Sequence, residues 1–304
     1  MKDDKSNYFA LAAAVAGHTF WGFSFLASRT ALDTAHMFVL LSHRFVLAFL
    51  VMNLLLLVGA ARLQLAGKRL RLLFALGMME PVVYFFGEQV GILHSNTIFS
   101  GVMIAMIPIV CTLAAVPVLG ERPTGGQLLF SLLSVGGVIG IGLMSRSSGA
   151  LDALGIAGLC VAVLSAVAYT LLGRGISAEF TPFERTYMMM ALGAAVFTAF
   201  AAVYCRGSAE AYLQPLAVRS YVLSVLFLAL CCSVGSYFLS SYTLTYMTVA
   251  RETVFSNLTT AVSVLAGALL LHEPFTPVGL VCCMMILLGI WGVQRAAPRD
   301  ETTL

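Results

Sequence analysis

Long apolar runs alternate with short polar connections along the whole sequence. Each run has about the 20 residues that an α-helix needs to cross the hydrocarbon core of a bilayer. The pattern predicts an all-α membrane protein of ten transmembrane helices, at residues 8–28, 37–58, 70–93, 97–119, 125–145, 153–173, 183–204, 220–243, 249–271 and 277–294. No connection is long enough to fold as a separate domain.

The third apolar run carries acidic residues where lipid would tolerate none. Glu80, Tyr84 and Glu88 are spaced four apart, so a continuous helix would place them on one face. An ionised group at the bilayer centre costs roughly 2.5–3.5 kcal/mol on insertion scales. We therefore expect this face to meet other helices or a water-filled cavity. Pro81 predicts a bend in the same helix.

Arg44 is predicted to lie at a depth between Glu80 and Glu88. One interpretation is a structural ion pair between Arg44 and either acid. The other is that one acid binds a cationic group or titrates with a coupled proton. His18 could titrate near neutral pH, although a single His in a helix is more typical of a hydrogen-bonded core.

Other polar and aromatic positions fall inside the apolar runs, and packing or interhelical hydrogen bonding competes with substrate contact as their role. Together with the acids and Arg44 they make up the candidate substrate cavity: Trp21, Arg44, Glu80, Tyr84, Glu88, Ser100, Tyr169, Ser236, Tyr237, Ser240 and Asn257. Arg251 and Glu252 begin the ninth run and are candidates for a gate or interface, with anchoring at the membrane surface as the alternative.

Composition supports the membrane assignment. The chain of 304 residues is 60% hydrophobic and 10% charged, with a mean hydropathy of +0.95, whereas a soluble domain has about 25% charged residues. With the N-terminus inside, twelve of the 17 Lys and Arg residues fall on inside segments and four on outside ones. The positive-inside rule then predicts cytoplasmic termini in the cell (inner) membrane. A net charge of +3 without basic clusters does not indicate nucleic-acid binding.

The two halves of the chain resemble each other. A shift of 152 residues places Leu119-Gly120-Glu121 on Leu271-His272-Glu273 and Thr124 on Thr276. Five helices per half is an odd number, so the second copy would be inverted in the membrane. Inverted repeats around a midplane site are the architecture of many secondary transporters. We expect the repeats at residues 8–145 and 153–294.

Several motifs carry a resemblance to a known family. They are Trp21-Gly22-Phe23-Ser24-Phe25, the sequence around Arg44, Pro108 followed by Leu119-Gly120-Glu121-Arg122-Pro123-Thr124, and the related LLLHEPFT and GIWGV of the second half. Together they resemble the EamA-type transporters of the drug/metabolite transporter superfamily. The resemblance implies two inverted five-helix repeats around a central cavity, with the fifth and tenth helices packed behind it.

The function expected from these features is secondary transport of a small organic metabolite by alternating access. An amino acid or related compound is the expected substrate class, and the resemblance favours export. A polytopic membrane enzyme and a non-transporting structural or sensing protein are the alternatives. The sequence has no catalytic motif, metal-ligand spacing or phosphate-binding loop, so we expect no enzyme activity, no cofactor and no metal. The expected partners are the solute, the lipid bilayer and a coupled proton.

Overall fold

Helices form all the regular structure in the described part of the chain. The structure is a computed structural model that describes residues 2–94, 103–144, 152–270 and 277–296. The α-helices are α1 (Lys2–Leu32), α2 (Met37–Leu57), α3 (Leu70–Gly77), α4 (Tyr84–Leu93), α5 (Ile107–Leu119), α6 (Gly125–Met144), α7 (Ala153–Gly175), α8 (Pro182–Tyr204), α9 (Ala209–Leu213), α10 (Arg219–Phe227), α11 (Tyr237–Tyr246), α12 (Val249–Thr253), α13 (Ser256–Leu270) and α14 (Pro277–Arg295).

Seven helical stretches of this described chain are long and apolar enough to cross a membrane. They are Tyr8–Leu32, Met37–Leu57, Leu70–Glu88, Ala153–Gly175, Pro182–Tyr204, Arg219–Tyr246 and Pro277–Arg295, and the shorter apolar helices Met103–Leu119 and Gly125–Ile141 accompany them. The all-helical membrane fold expected from the hydrophobic pattern is therefore confirmed.

Side-chain caps determine where two of the helices begin. Thr181 accepts a hydrogen bond from the N–H of Glu184, whose carboxylate accepts one from the N–H of Thr181, so α8 starts in a capping box. Thr124 and Gln127 make the same reciprocal pair before α6, at 3.1 and 2.9 Å. Each pair provides partners for N–H groups that the first helical turn leaves free.

The third predicted helix is not continuous, which corrects the expectation of one face carrying Glu80, Tyr84 and Glu88. A π-helical segment, Met78–Val83, separates α3 from α4, and Glu80 within it has the extended backbone angles φ −140° and ψ 124°. Pro81 causes this break, because proline lacks an N–H and disfavours helical geometry in the residue before it. Only Tyr84 and Glu88 remain on one helix.

The eighth predicted helix contains a π-helical segment at the corresponding position. This segment, Leu228–Ser236, separates α10 from α11. Under the shift of 152 residues, Met78–Val83 corresponds to residues 230–235, which lie inside this second segment. Single-turn π segments occur often at functional sites.

The helix packing brings elements of the two halves of the chain together around these π-helical segments. α4 packs along α7, while α1 packs against α10, Leu228–Ser236 and α11. α5 contacts α7, and α13 contacts α1 in the corresponding way. α2 lies along α8. The largest apolar core lies where α2 meets α8 and includes the fully buried Phe45 and Phe197, whose rings stack 5.4 Å apart.

α6 and α14 pack against each other through glycines. A Cβ on Gly137 would lie 2.6 Å from the Cys282 carbonyl oxygen, and one on Gly289 would lie 2.6 Å from Ser134 Cβ. Such close backbone approach requires small residues at the interface, as in other membrane helix pairs. These two helices correspond to the fifth and tenth predicted ones, which therefore pack closely against each other.

One end of the bundle, the basic end, is crossed by ion pairs and hydrogen bonds from its charged connections. Lys68 lies 2.6 Å from the Glu184 carboxylate. The Glu121 carboxylate accepts from Arg174 Nε at 3.1 Å and from the Val249 N–H at 2.7 Å. These contacts join connections that are distant in sequence, so the basic end is closed by polar links.

Arg69 adds an exposed link at the basic end. Its backbone N–H and its guanidinium both donate to the Glu179 carboxylate. These hydrogen bonds hold the pKa of Glu179 below its usual value. At the opposite end, the hydroxyls of Ser42 and Tyr212 lie 2.8 Å apart, and His94 Nδ1 lies 3.5 Å from the Asp152 carboxylate.

Candidate substrate site

Two interior carboxylates, Glu80 and Glu88, each have a tyrosine as their hydrogen-bond partner. The Tyr237 hydroxyl donates to Glu80 Oε1 at 3.0 Å, and the Tyr84 hydroxyl donates to Glu88 Oε1 at 3.0 Å. Within the described residues, neither carboxylate has a Lys or Arg nitrogen within 4 Å. The two acids are therefore solvated by hydroxyl groups but are not neutralised by an adjacent cation.

Glu80 and Glu88 lie deep inside the protein and yet retain accessible surface. Both are surrounded by protein atoms, but their side chains and that of Tyr84 are only half-buried. All three side chains therefore keep part of their surface uncovered by protein. Because acids are costly against acyl chains, a cavity remains the expectation for the space that Glu80 and Glu88 face.

Arg44 does not make the ion pair that the sequence left open. It is 5% exposed, its Nε donates to Ser233 Oγ at 2.7 Å, and its guanidinium lies 5.4 and 5.5 Å from the rings of Phe45 and Phe85. Within the described part of the chain no Glu oxygen lies within 4 Å of it, although its charge acts on both acids at longer range. Ser233 and the two tyrosine hydroxyls are the hydrogen-bond partners that these charged groups have instead.

Aromatic side chains line the space beside Glu80. The ring of Trp21 lies 5.2 Å from that of Tyr237, and the ring of Tyr169 lies 6.5 Å from it, both edge to face. Trp21 also donates its indole N–H to the Cys232 carbonyl at 3.1 Å. The Tyr169 hydroxyl is buried and has no hydrogen-bond partner in the described residues. The structure thus brings Trp21, Tyr169 and Tyr237 together near Glu80.

Several predicted cavity residues have other surroundings. Ser236 donates to the Gly17 carbonyl at 2.9 Å and so joins α1 to the Leu228–Ser236 segment. Asn257 is buried and donates to Ser134 on α6 at 3.1 Å. Ser100 lies outside the described residues.

Arg251 and Glu252 point in different directions, although they are neighbours in sequence. Arg251 Nε donates to Gln294 Oε1 at 2.9 Å and so contacts α14. Glu252 is 5% exposed and accepts from Ser240 Oγ at 3.0 Å. Glu252 is therefore a third interior carboxylate, in contrast to the surface anchor that one interpretation of the sequence favoured.

A match to a family model decides which family the chain belongs to. A family model described as "EamA-like transporter family" matches residues 8–143 and again residues 153–295. The chain belongs to the EamA-like transporter family. The two matches cover nearly the whole chain, and the resemblance seen in the sequence motifs is confirmed.

Relatives of this EamA-like chain carry transporter names. It is 31% identical over 288 residues to "Uncharacterized transporter YcxC" of Bacillus subtilis (strain 168), covering 93% of this chain and 92% of that protein. It is 26% identical over 283 residues to an "Uncharacterized transporter" of Archaeoglobus fulgidus, covering 91% and 95%. Family and relatives identify a multi-pass membrane transporter and point away from an enzyme.

A solved structure shows the same fold. A chain described only as "Crystal structure of protein" superposes with a TM-score of 0.76 over 93% of this EamA-like chain and 95% of its own length, at 16% sequence identity. At that identity the likeness concerns the fold alone.

Two serines outside the predicted set of cavity residues contact groups of the candidate site. Ser233 binds Arg44, and Ser165 donates at 2.6 Å to the carbonyl of Met79 at the helix break. Serines are frequent in membrane helices for interhelical hydrogen bonding, so their spacing alone does not indicate these partners. His18, for which the sequence favoured a packed core role, lies 3.7 Å from Glu252.

Proposed function

We propose that this protein is a secondary transporter of a small organic metabolite that carries an amino group, namely an amino acid or a related compound. The observation that supports it best is the pair of interior carboxylates, Glu80 and Glu88, which have tyrosine donors but no adjacent cation. A transport site needs groups that bind a charged solute inside the membrane, and these two acids supply them.

The charge of the acids sets the expected ligand class. A buried carboxylate without a counter-ion costs several kcal/mol of desolvation, and a cationic ammonium group or a proton removes that cost. Each tyrosine hydroxyl satisfies only one of the carboxylate lone pairs, and the others stay available to N–H donors. An ammonium group, with three donors, matches this arrangement.

Arg44 provides the complementary charge for the other end of an amino acid. Its Nε is engaged by Ser233, and its remaining N–H groups make no hydrogen bond within the described residues. A guanidinium binds a carboxylate through paired N–H donors. We therefore propose that Arg44 binds the substrate carboxylate while Glu80 or Glu88 binds the ammonium group.

Alternating access requires two halves that move relative to each other. We propose ten transmembrane helices in two inverted repeats, residues 8–145 and 153–294, with the site between them. The corresponding π segments Met78–Val83 and Leu228–Ser236 support this arrangement. The packing of α4 on α7 and of α1 on α11 relates the halves in the same way. Rocking about a shared midplane site is the mechanism of many such transporters.

We further propose that the protein resides in the cell (inner) membrane with both termini in the cytoplasm. The Lys and Arg residues of the basic end support this orientation, because positively charged connections stay on the cytoplasmic side. Export is the proposed direction. It predicts that cells expressing the protein release a preloaded labelled amino acid faster than cells without it.

Counterflow in proteoliposomes tests the transport proposal. Vesicles loaded in turn with each unlabelled standard amino acid are diluted into the ¹⁴C-labelled form, and we expect transient accumulation for at least one of them. Glu80→Gln and Glu88→Gln should each reduce that signal at least tenfold, whereas Glu210→Gln, an exposed matched control on α9, should not change it. Normal counterflow in both interior variants would contradict the proposed site. The absence of counterflow for every amino acid would contradict the proposed substrate class.

A further inference from the structure

His18 and Glu252 form a second pair of ionisable groups inside the protein, one turn of helix away from the proposed substrate site. His18 Nε2 lies 3.7 Å from Glu252 Oε1, and each residue is 5% exposed. Within the described residues no Lys or Arg nitrogen lies within 4 Å of the Glu252 carboxylate. Its partners are the Ser240 hydroxyl and the imidazole.

The hydrogen bonds of Thr259 determine which imidazole nitrogen faces Glu252 without a proton. Thr259 Oγ1 donates its single proton to the His18 carbonyl at 3.3 Å. The same oxygen lies 3.4 Å from His18 Nδ1 and can act there only as an acceptor. We therefore assign the proton of neutral His18 to Nδ1, which leaves Nε2 as an acceptor.

Two acceptors thus face each other across 3.7 Å. Nε2 has no hydrogen-bond partner in the described residues, and the facing carboxylate oxygen is an acceptor as well. A buried acceptor without a donor is costly. One added proton, on Nε2 or on Oε1, supplies the missing donor and converts the repulsive contact into a hydrogen bond.

We propose that His18 and Glu252 bind the coupled proton of this transporter at a site distinct from the Glu80 and Glu88 carboxylates. The proposal rests on the proposed transport function and adds its driving ion. His18 belongs to the first half of the chain and Glu252 to the second, so movement of the halves changes the distance between them and the access of water to the proton.

α11 connects this proton site to the substrate site. Tyr237 donates to Glu80 and Ser240 donates to Glu252, and residues three apart lie on one face of a helix. The Glu252 charge also acts on Glu80 through the protein. An unprotonated Glu252 therefore favours a cation at Glu80, and a protonated one disfavours it, which predicts exchange of a proton for a cationic group.

Other ionisable groups face the pair from the neighbouring helices. The Glu252 charge acts on Tyr169 of α7 and on Cys111 of α5, as well as on Glu80. The rings of Trp21 and Phe255 cover His18, at 5.0 and 6.3 Å. Tyrosine and cysteine are neutral at physiological pH unless strongly perturbed, so Glu80 is the group among them whose charge competes with Glu252.

A titration of the protein without substrate tests the proton site directly. In nanodiscs containing protein labelled with ¹³C and ¹⁵N histidine, the His18 signal is assigned by its absence in His18→Asn. We expect the His18 signal to change with pH, and that change to be altered in Glu252→Gln but not in Glu210→Gln. A His18 signal that does not change with pH, or one that changes identically in the wild type and in Glu252→Gln, overturns the proposal.

Transport with and without a pH gradient separates this proposal from the previous one. Using whichever ¹⁴C-labelled amino acid shows counterflow, we expect folded Glu252→Gln and His18→Asn to lose at least 90% of accumulation driven by a pH gradient. Counterflow at equal pH and saturating substrate should remain, because exchange needs no net proton movement. The exposed His94→Asn serves as the histidine control.

The transport outcomes are decisive in either direction. Retained pH-driven accumulation in both variants overturns the proton site and leaves the transport function intact. Loss of equal-pH counterflow in both folded variants also overturns it, since the pair would then act in substrate binding. If no amino acid shows counterflow in the wild type, the proposed function fails, and the histidine titration still decides whether the pair binds a proton.

Discussion

The hydroxyl of Tyr237 lies 3.0 Å from the carboxylate of Glu80, although 157 residues separate them in the chain. One turn later on the same helix, Ser240 lies 3.0 Å from the carboxylate of Glu252. α11 therefore donates hydrogen bonds to one acid from each half of the chain. One face of α11 therefore contacts both the proposed substrate site at Glu80 and the proposed proton site at Glu252.

Removing the Tyr237 hydroxyl should weaken substrate binding. Tyr237→Phe leaves Glu80 without its donor, and a hydrogen bond to a charged group contributes about 1.5–3 kcal/mol. We expect a change of about tenfold or more in the concentration of labelled amino acid that half-saturates counterflow. Tyr246→Phe, in which the altered residue is exposed at the end of the same helix, should behave as the wild type. Equal effects of both substitutions would contradict a specific role for the Tyr237–Glu80 contact.

The interface between α6 and α14 should not accept even one added methyl group at Gly137. A Cβ there would lie 2.6 Å from the Cys282 carbonyl oxygen, whereas a Cβ on the adjacent Gly136 would meet Met285 Cε at an ordinary 3.5 Å. Overpacking costs about 1–3 kcal/mol. Gly137→Ala should lower the melting temperature in detergent by several degrees, and Gly136→Ala should leave it unchanged or raise it slightly. If both variants have the same melting temperature, α6 and α14 are not packed as closely at Gly137 as the structure indicates.

The polar links at the basic end should contribute measurably to stability. Glu121→Ala removes the acceptor for Arg174 and for the N–H of Val249 at once. Hydrogen bonds to charged groups contribute about 1.5–3 kcal/mol each, so we expect a clear decrease in melting temperature. The control is Arg122→Ala, at the neighbouring exposed position. If that control is as destabilising as Glu121→Ala, the effect comes from the connection as a whole rather than from the Glu121 carboxylate.

The orientation proposal predicts that both termini are cytoplasmic. In a bacterial host, green fluorescent protein fused after Leu304 should fluoresce, and alkaline phosphatase fused at the same point should be inactive. The same phosphatase inserted after Arg206, in the connection before α9, should be active, because that connection belongs to the opposite end. The reverse pattern of activities would invert the proposed topology and with it the assignment of the basic end to the cytoplasm.

The helix ends could be predicted closely because local chemistry determines them. The second helix was expected at residues 37–58 and spans Met37–Leu57, and the capping residues Thr181 and Thr124 lie immediately before the helices that they start. Length, hydropathy and capping all act within a few residues of each position. The extent of the helix break at Pro81 was less predictable. A proline indicates a bend, but it does not indicate that Glu80 takes up an extended backbone conformation.

The composition of the site could be predicted better than its contacts. Glu80, Tyr84, Glu88 and Tyr237 could be chosen because polar residues inside apolar helices rarely face lipid. Of the two interpretations of Arg44, the ion pair with an acid is not formed, since Ser233 accepts from the guanidinium and tyrosines donate to the carboxylates. Nothing in the local sequence ranks these partners, which all come from helices far away in the chain.

The sequence by itself determined that this chain is helical, membrane-spanning, internally repeated and acidic in its interior, because hydropathy, capping and charge are properties of short segments. Only the tertiary structure decided that Glu252 turns inward to meet Ser240 and His18. The reason is physical: a carboxylate at the start of a membrane helix can be satisfied by headgroups, by the helix N-terminus or by a distant hydroxyl. The choice among these depends on which helices pack together.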